Sequence, residues 1–203
     1  MYYYFMLEYN DSYAFKEYPT LTKNQLLHQS IVTDMSGRDR SSVRRCEACK
    51  GLLDKWHIPL LGLRIRQRKR DLSMTYDGVI VASTAFVNVC EMAGMEGIRF
   101  HRLPDDPDFF RVDTCRSVLF DAERRATRFL GHCGICGQYD EIIGANPVLL
   151  REGEQIADAE VVRTDLEFGS DDGKAPLLIC SDVAKRSLAS HTLKGVRLFE
   201  LDK

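Results

Sequence analysis

The chain carries two pairs of cysteines with the same internal spacing, and this feature constrains its fold more than any other. The first pair is Cys46 and Cys49, and the second is Cys133 and Cys136. Two residues between the sulfurs allow both thiolates of a pair to reach one ion from a single tight turn. Two such turns supply the four sulfurs of a closed tetrahedral zinc site. The sequence therefore predicts that residues 46–49 and 133–136 meet as two knuckles around one structural Zn²⁺.

Other roles for the cysteines and their neighbours stay open at this stage. A dithiol that shuttles electrons is the main chemical alternative, but two separate pairs fit a metal better than a redox motif. His132 adjoins the second pair, and it or Cys115 could supply a further ligand. Cys90 and Cys180 lie in apolar stretches, which predicts that they are small core residues.

The composition predicts a single globular domain over residues 1–203. The chain has 203 residues, 44% of them hydrophobic, and a formal net charge of −2. This balance gives no global field that would attract nucleic acid or a membrane surface. No apolar run is long enough to span a bilayer, and the apolar start of the chain indicates an N-terminal β-strand rather than a signal peptide. Seven cysteines with paired spacing favour metal binding in a reducing compartment, so we expect a cytoplasmic protein.

Two segments share one pattern of a short apolar run, a serine, a helical stretch and a second apolar run. They fall around residues 77–104 and 175–202, and a glycine follows the serine by 14 residues in both. The hydroxyls of Ser83 and Ser181 can cap the helices, and Gly97 and Gly195 suit a left-handed exit from them. The sequence thus predicts an α+β fold with two similar strand–helix–strand units side by side in one mixed sheet, stapled by a zinc-ribbon-like element.

A basic run at residues 64–70 has two interpretations. Clustered cations can form a phosphate-binding strip for nucleic acid, but aromatic residues for base stacking are absent from the run itself. An edge strand whose charges face water is the favoured interpretation.

The acidic residues fall into two groups, which are expected to be exposed on loops. Solvated turns are the ordinary explanation, and acid–base chemistry or a divalent cation site are others. An acidic surface that docks a basic protein partner is the interpretation that we pursue, because complementary charge raises association rate and selectivity. Its residues are Asp105, Asp106, Asp108, Asp165, Glu167, Asp171 and Asp172.

Recognisable catalytic motifs are absent from the sequence. It contains no nucleophile elbow, no phosphate-binding glycine loop and no paired histidine frame for a metal. We therefore expect a protein that is not an enzyme.

The two cysteine pairs, the second followed directly by Gly137, resemble a bacterial family known for a double CXXCG motif. The opening strand at residues 2–7 and the closing segment at 193–199 add to the likeness, whereas Lys50 stands where the motif has glycine. The resemblance implies an immunity protein that binds and neutralises a cognate polymorphic toxin delivered between neighbouring cells. It also implies a cytoplasmic antidote without enzymatic activity, with the four paired cysteines as metal ligands. The alternative is a zinc-ribbon protein that binds nucleic acid through residues 64–70. Neither the toxin nor the oligomeric state follows from the sequence.

Overall fold

Strands dominate the computed structural model, which describes residues 1–14, 44–53, 55–57, 60 and 62–201. The described residues form an α+β fold, as the sequence predicts. The strands are β1 (Tyr2–Met6), β2 (Leu72–Met74), β3 (Ile80–Ser83), β4 (Ile98–Leu103), β5 (Asp106–Thr114), β6 (Ser117–Val118), β7 (Arg128–His132), β8 (Tyr139–Ile143), β9 (Val161–Ser170), β10 (Ala175–Ser181) and β11 (Arg197–Glu200). The helices are α1 (Thr84–Met92), α2 (Ala122–Arg125) and α3 (Asp182–Ala189), and 3-10 turns cover Lys55–His57 and Asp171–Gly173.

The described strands form two sheets. The smaller sheet has the order β2-β3-β5-β4, and the larger has the order β11-β1-β10-β9-β8-β7 with β6 also paired to β9. The β6–β9 pair is parallel, whereas every other pair of named strands is antiparallel. In β1, the predicted N-terminal strand, Tyr3 and Phe5 are buried because alternate side chains of a strand point to the same face.

Both predicted repeat segments fold as strand, helix and strand, with a serine at the start of each helix. The hydroxyl of Ser83 accepts a hydrogen bond from the backbone N–H of Phe86 at the start of α1. The hydroxyl of Ser181 does the same for the N–H of Ala184 in α3. Each serine therefore satisfies one of the backbone donors that a helix leaves unpaired at its N-terminus.

The placement of the two units differs from the prediction in two respects. They lie in different sheets, the first in the smaller sheet and the second in the larger. Within each unit the two strands are not neighbours, because an antiparallel strand from outside the unit lies between them: β5 between β3 and β4, and β1 between β10 and β11. Gly97 and Gly195 have the predicted positive φ, at 76° and 74°. However, they lie just before the second strands, whereas the C-cap residues of the helices are Ala93 and Ser190.

One hydrophobic core joins the two sheets and two of the helices. It includes Phe86 and Cys90 of α1, Phe110 of β5, Cys180 of β10 and Leu188 of α3. Cys90 and Cys180 are buried, as predicted, and burial raises the pKa of each thiol to about 12. Both are therefore neutral core residues rather than reactive thiols.

The basic run at residues 64–70 does not form the predicted edge strand. It lies outside the named strands as a loop with a turn at residues 68 and 69. The backbone N–H groups of Ile65 and Arg66 donate to the side chains of Asp106 and Ser12 rather than to a neighbouring strand. For these two N–H groups, side-chain acceptors thus replace the backbone hydrogen bonds that a neighbouring strand would provide.

Candidate metal centre

The two cysteine turns have the same backbone hydrogen bonds. In the first, the N–H of Cys46 donates to the carbonyl of Gly51, and the N–H of Lys50 donates back to the carbonyl of Cys46, both at 2.9 Å. In the second, the corresponding bonds join Cys133 with Gln138 and Gly137 with Cys133, both at 2.8 Å. Equal spacing in the sequence has therefore produced equal local structure.

Lys50 adopts the conformation that glycine adopts in the second turn. Its φ is 64°, and φ at the corresponding Gly137 is 74°. The left-handed region costs a residue with a Cβ about 1–2 kcal/mol. The departure of this sequence from the CXXCG pattern therefore leaves the turn unchanged and places conformational strain at Lys50.

Each turn lies at the tip of a pair of antiparallel segments. Residues 133–138 connect β7 with β8, and Arg45 forms an antiparallel bridge with Leu52 on either side of the first turn. The two tips meet although Cys46 and Cys133 are 87 residues apart in the chain.

The four sulfurs form a cluster whose dimensions suit a tetrahedral metal ion. All four lie within 4.8 Å of one another. The sulfur of Cys46 is 3.8 Å from that of Cys133, and the sulfur of Cys49 is 3.6 Å from that of Cys136. A tetrahedron with metal–sulfur bonds of about 2.3 Å has edges of about 3.8 Å. The distances match such an edge and far exceed a disulfide bond of about 2.05 Å.

The backbone of each turn stabilises a negative charge on its first sulfur. The N–H groups of Cys136 and Ile135 lower the pKa of Cys133 to about 6, and those of Cys49 and Ala48 lower the pKa of Cys46. These amides point toward sulfur because the turn wraps around it.

The second sulfur of each turn behaves differently. The N–H of Gly51 favours the thiolate of Cys49, but burial and the three neighbouring sulfurs outweigh it and raise the pKa to about 12. The pKa of Cys136 is also raised, because burial and the sulfurs of Cys133 and Cys46 outweigh the favourable N–H of Gln138. A bound cation would remove the repulsion among four thiolates, so this cluster is chemically suited to a metal.

Side chains around the turns connect them to each other and to the rest of the fold. Gln138 of the second turn donates to the carbonyl of Leu52 beside the first, at 2.9 Å. Arg45 forms an ion pair of 2.8 Å with Asp172, and Asp172 also accepts a hydrogen bond from the N–H of Leu52. The relative position of the two turns is therefore supported by protein contacts as well as by any ion.

The two further residues considered as ligands lie outside this cluster. Cys115 is exposed, and its backbone N–H donates to the carbonyl of Gly97 at 2.7 Å. His132 is exposed in β7 and packs against the ring of Tyr139, with ring centroids 4.9 Å apart. Within the described part of the chain, the cluster consists of the four paired cysteines.

Two members of the first acidic group, Asp106 and Asp108, bind Arg68 of the basic run. Arg68 donates to both carboxylate oxygens of Asp106 at 2.8 and 2.9 Å and to Asp108 at 2.7 Å. Asp105 accepts a hydrogen bond from the N–H of Gly62 at 2.7 Å. Asp106 is only 5% exposed, so the expectation that this whole group is exposed on a loop is wrong. Asp106 and Asp108 belong to β5.

The second acidic group surrounds a cleft beside the metal centre. Asp165 and Glu167 lie on β9 rather than on the predicted loop, and Asp171 and Asp172 lie in the 3-10 turn that follows it. The cleft has a volume of about 410 Å³. The residues lining it include all four of these acids and Leu52, Lys55, Trp56, Tyr139 and Ile142.

The aromatic and basic members of this cleft were not identified from the sequence. The indole N–H of Trp56 donates to Glu167 at 2.5 Å, and the guanidinium of Arg163 lies 4.9 Å from the Trp56 ring. The buried ammonium of Lys55 donates to the carbonyls of Asp172 and Lys174. The only tryptophan of the chain, close after the first cysteine pair, is the signal that could have drawn attention to this region.

Comparisons of the chain with protein-family models, curated proteins and solved structures returned no match. None of the helices in the described ranges combines the length and the apolar character that crossing a bilayer requires. The fold and the site define an α+β protein with a four-cysteine cluster able to bind a metal ion.

Proposed function

We propose that the four cysteines hold one structural zinc ion and that the protein is an immunity protein, which neutralises a cognate toxin by binding it. The observation that supports the zinc site is the sulfur cluster, with cross-turn distances of 3.8 and 3.6 Å. Four thiolates in a tetrahedron are typical of zinc, and a closed set of four leaves no position for substrate. The ion would stabilise the fold rather than perform chemistry.

Metal analysis of the purified protein tests the site. We expect one zinc per chain in the wild type and none after Cys49→Ser or Cys136→Ser, because each change removes one of four ligands. Cys115→Ser is the matched control, since that thiol lies outside the cluster, and it should retain full zinc. Iron in place of zinc, or full zinc in both ligand variants, would contradict the assignment.

The toxin-neutralising role is supported by the resemblance of the cysteine pairs to the double CXXCG family. Lys50 stands where the motif has glycine, and it adopts the same left-handed backbone conformation as Gly137, so this departure is compatible with the motif's turn. Binding and occlusion of a toxin require no catalytic residue in the antidote. Thiolate ligands also persist best in a reducing compartment such as the cytoplasm, where such an antidote would act.

Among the acidic residues, three remain as the proposed docking site for a basic toxin surface: Asp165, Glu167 and Asp171. They line the cleft beside the metal centre. Asp105, Asp106 and Asp108 are not among the residues that line this cleft, and Asp172 is already paired with Arg45. Asp165 and Glu167 accept hydrogen bonds from the neutral N–H groups of Phe120 and Trp56 rather than from a cation.

We expect the neighbouring gene to encode a large secreted polymorphic protein, and co-expression with the variable C-terminal domain of that protein tests this function. Cells should grow with the wild-type chain, and the purified pair should form a stable complex. Charge reversal of Asp165 and Asp171 should weaken the complex, because charge complementarity would be lost.

The matched control is Glu152→Lys, another exposed acidic residue away from the cleft. Growth arrest despite expression of the wild-type chain would refute the proposal. Strongly salt-dependent binding to DNA or RNA would favour the nucleic-acid alternative instead.

A further inference from the structure

The four sulfurs of the metal centre differ in how open they are to solvent. Cys46 and Cys133, the first cysteine of each turn, are buried, with exposed fractions of 3% and 9%. Cys49 and Cys136, the second cysteine of each turn, are partly exposed. Exposure controls which thiolates a solute can oxidise. An oxidant that arrives from solvent therefore meets the second sulfur of each turn first.

The two accessible sulfurs are also neighbours across the two turns. The sulfur of Cys49 is 3.6 Å from that of Cys136. A disulfide bond of about 2.05 Å requires these atoms to approach by about 1.5 Å, which small rotations of two side chains can supply. The turns themselves are already in contact, because Gln138 donates a hydrogen bond to the carbonyl of Leu52. The accessible pair is thus placed to form a disulfide that joins the turns.

A cleft smaller than the acidic one opens on the sulfur of Cys49. Its volume is about 200 Å³, and its lining includes Cys49, Lys50, Gly51 and Gln138. A water molecule occupies about 30 Å³ in the liquid, so hydrogen peroxide, which is only slightly larger, fits in this cleft. Cys49 is therefore the sulfur that a small peroxide can approach through a formed opening.

We infer that Cys49 and Cys136 are an oxidation site, at which hydrogen peroxide converts the two thiolates into a disulfide across the turns and the metal is lost. Metal ligation keeps the sulfurs deprotonated, and the thiolate is the form that a peroxide oxidises. The inference rests on the metal site proposed above and is independent of the toxin.

The reaction has two steps. The sulfur of Cys49 attacks one oxygen of the peroxide, the O–O bond breaks, and a sulfenic acid and a hydroxide ion form. The sulfur of Cys136 then attacks the sulfur of Cys49, the S–O bond breaks, and a second hydroxide leaves. Two protons from solvent convert the hydroxides to water. The two thiolates have together given two electrons to the peroxide.

The disulfide changes the metal centre but keeps the turns together. Cys46 and Cys133 remain as buried sulfurs 3.8 Å apart, and two ligands fall short of the closed set of four that a structural zinc ion requires. A dithiol reductant reverses the change by thiol–disulfide exchange, after which the four sulfurs can bind zinc again. Oxidation therefore produces a distinct, recoverable state of the protein.

The first test treats the zinc-loaded full-length protein with hydrogen peroxide. A chromophoric chelator measures the released zinc, and mass spectrometry of peptides identifies the disulfide. We expect one zinc released for each disulfide formed, and the earliest linked peptides should join Cys49 with Cys136. Dithiothreitol followed by zinc should restore full metal content. Cys115→Ser should release zinc as fast as the wild type, because that thiol lies outside the cluster.

A second test covers the sulfur without removing a ligand. A Cβ at Gly51 would lie 3.4 Å from the sulfur of Cys49 and 3.0 Å from Oε1 of Gln138, the end of a flexible side chain, and φ at Gly51 is not positive. Gly51→Ala should keep full zinc but release it about fivefold more slowly in peroxide, because thiolate reactivity follows exposure. Gly134→Ala is the matched control, since a Cβ there meets no atom within 4 Å.

The outcomes separate this inference from the proposed function. Earliest products that link Cys46 with Cys49 or Cys133 with Cys136 would overturn it, and so would zinc release without any disulfide. Equal release rates in Gly51→Ala and Gly134→Ala would show that Cys49 is not the attacking sulfur. If the purified chain holds no zinc, the metal proposal fails, and disulfide mapping of the metal-free protein still decides which sulfurs pair. Failure to bind a toxin would leave the oxidation site standing.

Discussion

The backbone conformation of the two cysteine turns gives a prediction that can be worked from the structure. Gly137 has a φ of 74°, and a Cβ built there meets no atom within 4 Å. Gly137→Ala therefore introduces no steric clash with a neighbour, and its cost is purely conformational. The left-handed region costs about 1–2 kcal/mol, while the less flexible unfolded chain returns about 0.4–1 kcal/mol. We expect a net destabilisation of about 0.8 kcal/mol, within limits of about 0 and 1.6 kcal/mol.

The corresponding change in the first turn should have the opposite sign. Lys50→Gly relieves the strain at a φ of 64°, but glycine increases the entropy of the unfolded chain. The change also removes a hydrogen bond from the Lys50 ammonium to the carbonyl of Glu47. The net effect should lie between no change and a gain of about 1 kcal/mol.

Two assays measure these effects. Urea unfolding at saturating zinc reports the free energy of unfolding, and competition with a chromophoric chelator reports zinc affinity. Because the turn must form before it binds the ion, 1 kcal/mol of turn stability corresponds to about fivefold in apparent zinc Kd. Gly134→Ala is the matched control: it lies in the same turn, has no positive φ and meets no atom within 4 Å. Equal effects of the two alanine substitutions would refute the reasoning.

Three further predictions concern a hairpin, a buried carboxylate and an ion pair. Chelation of the metal should speed amide hydrogen exchange in residues 128–143 more than in β10, because all five residues of β7 are exposed and depend on the knuckle for order. Asp106→Asn should lower the free energy of unfolding by about 2–3 kcal/mol, because this buried carboxylate binds both Arg68 and the backbone N–H of Ile65. Asp108→Asn should lower it by less than about 1 kcal/mol, because the ion pair of Asp108 with Arg68 is exposed. Glu160→Gln should destabilise the protein by about 1 kcal/mol at pH 7 and flatten its acid denaturation curve.

The sign of the last effect follows from the pKa of Glu160. Arg116 binds this carboxylate through two hydrogen bonds, and it lowers the pKa below its ordinary value. The stabilisation is present above the unfolded pKa of about 4.3 and is lost as the pH falls through the lower pKa of the folded state. A titration of stability between pH 7 and pH 3 checks this, with Glu152→Gln as the exposed control. Equal slopes for the wild type and Glu160→Gln would contradict it.

If chelation speeds amide hydrogen exchange in β10 as much as in residues 128–143, the prediction of a local effect of the metal is wrong. Similarly, equal losses of stability in Asp106→Asn and Asp108→Asn would show that burial does not separate these two carboxylates.

Features that depend on a few neighbouring residues were predictable from the sequence. The serine caps at Ser83 and Ser181 involve atoms three residues apart, and the cysteine turns close over six residues. The relevant interactions are short in sequence, so residue type and spacing specify them directly. The burial of Cys90 and Cys180 follows in the same way from their apolar surroundings.

Features that join distant parts of the chain were not predictable in this way. The basic run at 64–70 and the acids at 105–108 each suggested a binding surface, but the fold brings them together as ion pairs. The acids at 165 and 167 were expected on a loop, although they lie in the ten-residue strand β9. Strand pairing supplies hydrogen bonds and burial that a charged sequence does not signal on its own.

By itself, the sequence determined the four sulfur donors and the conformation of each turn that presents them, because both are set within a few consecutive residues. Only the tertiary structure decided that turns 87 residues apart meet at metal-binding distance. It also decided which charged side chains pair with each other, as Arg68 does with Asp106 and Asp108. The physical reason is that these contacts depend on the path of the intervening chain, and that path is set by the packing of two sheets around a shared core.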